Sequence, residues 1–194
     1  MVSPTSEKSD EFQLVVSGEV ESGLFSEVLN SATISFDIVS QADAGWISCS
    51  GETCGLSLKC TSPSTEFIWN LPIFCAFSTP TPIGWPRMVL SIFTTDWRGR
   101  DILYGYGLVL VPSQPGRHTR RVQLYAPEST SWWGELSGWV LGKRPMLINP
   151  AEFLCGTTAD EKRTVIMYPR TDTYITVNFH ISIKNAENLN LRFS

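Results

Sequence analysis

Along most of this chain, apolar residues recur at every second position, in short runs cut apart by turn residues. The stretch "ATISFDIV" (32–39) is the cleanest case, with Ile34, Phe36 and Ile38 at one parity and Ser35 and Asp37 at the other. A period of two matches the pleat of a β-strand and cannot line up along one face of a helix. Further strand-like runs are "FQLVVSGEVES" (12–22), "TEFIWNLPIFCAF" (65–77), "RMVLSIFTT" (87–95), "DILYGYGLVLVP" (101–112), "HTRRVQLY" (118–125), "TVIMYP" (164–169) and "TYITVNFHISI" (173–183). Strands this closely spaced, without helices alternating between them, predict an all-β antiparallel sandwich. Pro72 implies an edge or a bulge in its strand, and Gly105 and Gly107 imply a bulge or a close backbone approach. The segment "SGLFSEVLNSA" (22–32) reads as the connection between the first two strands, and "ISCSGETCGLSLKC" (47–60) as a ragged strand pair at best.

One segment breaks the rhythm. In "STSWWGELSGWVLGKRP" (129–145) apolar residues fall at Trp132, Trp133, Leu136, Trp139 and Val140, the stripe of an amphipathic helix. Ser129, Thr130 or Ser131 can cap its start, Gly142 sits where a left-handed C-cap belongs, and Pro145 forbids continuation. The expected architecture is therefore a sandwich with one helix inserted late in the chain. A second short helix can begin at "NPAEFL", with Asn149 as cap and Pro150 in the first turn.

A length of 194 residues suits one domain, expected over 11–185 between polar tails at 1–10 and 186–194. A net charge of −4 argues against general nucleic-acid binding, which needs a strongly basic face. Five cysteines, an odd number, and a polar start without the apolar stretch of a signal peptide point to a soluble intracellular chain with reduced thiols. Cys49, Cys54 and Cys60 lie close together, but their spacing fits no common zinc pattern.

Motifs for chemistry are missing. "GELSG" holds its serine one place late for a nucleophile elbow, and "GYG" lacks the third glycine of a dinucleotide fingerprint. His180 has the parity of Asn178 and Ser182, opposite to Ile175, Val177, Phe179 and Ile181, so it is expected to face solvent. The stretch "LSIFTTDWRGRDILYGYG" has the outline of a calcium loop of a C2-type sandwich. It offers only Asp96 and Asp101, where calcium takes six to eight oxygen ligands, and Arg98 and Arg100 oppose a cation. The expectation is a chain without catalysis, cofactor or bound metal, with a hydrolase as a remote alternative.

The stretch "GLVLVPSQPGRHTRR" (107–121) sets one of two histidines among three arginines in an acidic protein. Pro112, Pro115 and Gly116 mark a hairpin turn. Arg117, His118, Arg120 and Arg121 then form either a solvated basic tip or a contact for acidic lipid headgroups or an acidic partner. Lys143 and Arg144 are further candidate contacts beside the helix. Trp132, Trp133 and Trp139 either fill the core or anchor a partner, with membrane insertion the weaker option. Trp85 in "GWP" is expected to pack against the sheet and fix its loop.

Several stretches, in order, resemble the B9-domain proteins of the ciliary transition zone: "GEVES" (18–22), "WNLPI" (69–73), "PIGWPRMVLSIF" (82–93), "YGYGLVLVPSQPGRHTR" (104–120), "APESTS" (126–131) and "GKRP" (142–145). They span roughly 18–182; the stretch 40–64 departs from the family pattern. The resemblance implies a C2-like sandwich without catalytic function. It implies B9-domain-containing protein 2 and the Meckel syndrome type 1 protein as partners in the tectonic-like (Meckel syndrome) complex. It also implies a place in the cytoplasm at the cilium base, in the transition zone and basal body. The implied roles are ciliogenesis, the ciliary membrane diffusion barrier and support of Hedgehog signalling. A calcium-independent phospholipid-binding module of C2 type is the alternative.

Overall fold

The fold is seen in a computed structural model, which describes residues 11–41, 45–127, 147, 149–150, 154 and 167–185. Nine strands follow in chain order: β1 (Phe12–Leu29), β2 (Thr33–Val39), β3 (Ile47–Glu52), β4 (Cys54–Leu56), β5 (Ser64–Thr79), β6 (Arg87–Thr95), β7 (Asp101–Leu110), β8 (Gly116–Pro127) and β9 (Met167–Lys184). All pair antiparallel, in the order β3-β5-β1-β9-β8-β7-β6-β2-β4.

The sheet doubles over into two layers, because one apolar cluster draws on both halves of that order. Leu14, Val16 and Val20 of β1 and Val177, Phe179 and Ile181 of β9 belong to the same buried cluster as Ile34 and Phe36 of β2 and Leu90 and Ile92 of β6. Each such side chain, fully buried, contributes about 1.5–3 kcal/mol. Aromatic groups close the two ends. At one end Phe25 meets Phe67, Trp69 and Tyr104 edge-on, its ring centroid 5.3 Å from that of Tyr104 in the opposite layer. At the other end Phe12, Trp46, Phe77 and Trp85 form a second group.

The lateral corners differ. On one side β7 and β8 pair only at Tyr106↔Tyr125 and Gly107↔Leu124. On the other, β3 lies on β5 and β4 lies on β2, with Thr53 alone between them and its carbonyl accepting from the Ile38 N–H at 2.6 Å. One extended segment, 47–56, thus bridges the edges of both layers.

Several expectations change. β1 runs on to Leu29, so 22–29 is strand and not connection; register shifts at Val20/Ser22 and Leu24/Leu29 absorb its broken alternation. The ragged pair at 47–60 is not a pair, since β3 and β4 join different layers. The basic turn does join consecutive antiparallel strands, but the hairpin is splayed: β8 runs along β9 from Gly116 and meets β7 only at Leu124 and Tyr125. Met167–Pro169 and residues 173–183 belong to one strand, β9.

Other expectations are met. Ile34, Phe36 and Ile38 are buried, Met88 to Ile92 are buried on both parities, and Pro72 lies where β3 no longer covers β5. The register shift at Ile92/Phe93 leaves Tyr104 unpaired, a bulge in β7 beside Gly105. The inserted helix at 129–142 lies outside the described residues. Of the second helix, Pro150 and Leu154 are described and are helical.

Candidate interaction face

β8 alternates Val122 and Leu124, buried, with Arg117, Thr119, Arg121 and Gln123, exposed. Its register on β9 sets these outward residues opposite His180, Asn178, Thr176 and Tyr174. β1 lies on the far side of β9, with Ser17 opposite His180 and Glu19 opposite Asn178. Three strands therefore build one polar outer face.

Asn178 organises its centre. Thr119 Oγ1 donates to its Oδ1 at 2.8 Å, and its Nδ2 donates to Glu21 Oε2 at 2.8 Å and Glu19 Oε1 at 3.4 Å. An open depression of about 450 Å³ lies here, bordered by Glu19, Arg117, His118, Asn178 and His180. Both histidines of the chain thus reach one spot from different strands.

The arrangement does not activate a nucleophile. Ser17 Oγ donates to the backbone carbonyl of His180, not to its ring. His118 Nε2 lies 2.8 Å from the Gln114 carbonyl, which can only accept, so that nitrogen carries a proton. Cys75 is fully buried, and burial pushes its thiol up to about 12. What the face offers is charge. Among the described residues no carboxylate lies within ion-pair distance of Arg117, Arg120 or Arg121; the Arg121 guanidinium rests 5.0 Å from the centre of the Tyr174 ring.

Asp96 lies in the β6–β7 loop and Asp101 opens β7, at the opposite end of that strand from the Gly116 turn. Asp96 Oδ1 accepts from the backbone N–H groups of Arg98 (2.9 Å) and Arg100 (2.8 Å), and Oδ2 accepts from the Arg100 guanidinium. These bonds, the Arg100 backbone N–H foremost, hold its carboxyl below the usual range. Asp101 pairs with Lys59 at 2.5 Å. Both carboxylates are engaged by the protein itself, and no three His, Cys, Asp or Glu side chains converge among the described residues. Cys49 and Cys54 are exposed, one on each edge strand.

Trp85 stacks on Phe12, and its indole N–H donates to the Val111 carbonyl at 2.8 Å, tying the 80–86 loop to the β7–β8 connection. Trp132, Trp133, Trp139, Lys143 and Arg144 lie outside the described residues. No helix among the described residues is long and apolar enough to cross a membrane.

The family model described as "Ciliary basal body-associated, B9 protein" matches residues 14–182. The chain belongs to the B9 family. B9 domain-containing protein 1 of Homo sapiens is 34% identical over 182 residues, covering 92% of this chain and 85% of that protein. The protein of the same name in Xenopus laevis is 33% identical, with coverage of 92% and 87%. B9 domain-containing protein 2 of Danio rerio is 35% identical over 99 residues, or 51% of this chain and 56% of that protein.

Several B9 stretches fall at structural joints. In "GEVES", Gly18 takes a φ of 147°, and a Cβ there would collide with the Asn178 carbonyl. In "WNLPI", the Trp69 indole N–H donates to the Ala32 carbonyl at 3.4 Å. Reading the sequence alone singled out the basic residues of β8 but missed Asn178, Glu19 and Tyr174. The parity that sets His180 beside Asn178 was a visible signal; the adjacency of β9 to β8 and β1 was not.

Proposed function

We propose that this chain is a non-catalytic interaction subunit of a ciliary B9 assembly, with B9 domain-containing protein 2 and the Meckel syndrome type 1 protein as partners. The assembly is the tectonic-like complex, serving ciliogenesis and the membrane barrier at the cilium base. The observation that carries this reading is the family match along residues 14–182. The geometry supports it: among the described residues, the β8–β9–β1 face holds arginines without acidic partners and no nucleophile beside a base.

Co-expression with the two partners followed by size exclusion tests the reading. The chain is expected to co-elute with at least one of them, and separate elution from both would overturn it. The arginines without carboxylate partners also suit an anionic membrane surface, where each basic residue contributes about 1 kcal/mol. Flotation on phosphatidylserine vesicles without calcium distinguishes that second reading.

A further inference from the structure

Among the described residues, β8 has strand neighbours on both sides only near its C-terminal end. Residues 116–123 pair with β9 on one side, whereas β7 touches β8 only at Leu124 and Tyr125 and then follows β6. Alternate backbone N–H and C=O groups along this stretch therefore face the open corner. An edge of this kind is a template for another strand, and proteins commonly blunt it with charge.

Here the charge has one sign and lies on both faces. Arg117 and Arg121 have the outward parity, while His118 and Arg120 have the parity of Val122 and Leu124. Arg120 is exposed in spite of that parity, because no strand covers it at the corner. Such an edge repels a basic strand and admits an acidic one at either parity. Across the corner, Leu108 and Leu110 of β7 are 40% and 55% exposed, so apolar surface borders the same opening. The other lateral corner is already bridged by 47–56.

We propose that β8 accepts an extended acidic segment of a partner protein as an added β-strand along residues 116–123. The incoming backbone completes the open edge, and its carboxylates meet Arg117, Arg120 and Arg121. This rests on the reading of the β8 face as an interaction surface and states how that surface is engaged.

The test uses the full chain and a labelled peptide of alternating threonine and glutamate. Its controls are the lysine counterpart, a version N-methylated on alternate amides, and phosphatidylserine vesicles. The glutamate peptide is expected to bind and to slow hydrogen exchange at alternate amides of 116–123. Binding should weaken at least about tenfold in Arg117→Glu/Arg121→Glu. The milder Arg117→Gln/Arg121→Gln, with an unchanged melting temperature, should weaken it in the same direction.

Three results would overturn the proposal: no binding of the glutamate peptide, equal binding of the N-methylated version without protection of β8, or protection by vesicles alone. The last would assign the cations to a membrane. Peptide binding that persists while co-elution with the B9 partners fails would remove the assembly and leave strand addition standing. The opposite pattern would do the reverse.

Discussion

Asp96 has its carboxylate saturated by its own loop, and this has a definite pH signature. A carboxyl held below its unfolded pKa contributes stability above the unfolded value and loses it as pH falls through the folded one. Asp96→Asn is therefore expected to destabilise the chain slightly at neutral pH, with a difference from the parent that closes as pH falls below the usual carboxylate range. Urea unfolding of both proteins across that range checks it, and a difference constant with pH would contradict it. The loop also marks how far residue types alone can be read. That two carboxylates are too few for calcium follows from counting. That Arg98 and Arg100 are donors holding Asp96 closed required the turn geometry, since each bond closes over two or four residues of backbone.

At the scale of elements, alternation was readable where it is uninterrupted and lost where backbone irregularity restores it. Ile34, Phe36 and Ile38 could be placed from sequence, but β1 could not be followed past Ser22, because its two register shifts change which parity faces the core. The Pro-Gly stretch before β8 marks a hairpin connection, but its residues do not reveal that the two strands splay apart beside it. Turn residues report that the chain reverses or bends, not whether the next strand stays beside the last. The glycines of β7 do mark a close approach. A Cβ on Gly107 would stand 2.9 Å from Val122 Cγ1 and 3.2 Å from Leu124 Cδ2. Gly107→Val should force β8 away from the two positions where it meets β7, costing about 1–3 kcal/mol. Thermal unfolding would register that cost, and an unchanged midpoint would mean that the layers are not held together there.

Taken as a whole, the molecule is a doubled sheet with unlike corners: one barely stitched, beside β8, and one bridged by residues 47–56. The all-β class and the family could be read from sequence because strand periodicity and motif order are local. The corners could not, because they depend on which distant strands become neighbours. The bridging segment contributes little to the core, since every residue of β3 is exposed. Its removal would nonetheless bare two rows of amides and carbonyls at once. Deleting 47–56 would thus add two bare strand edges to the one already open at β8, and the shortened protein should sediment as larger multimers than the intact chain.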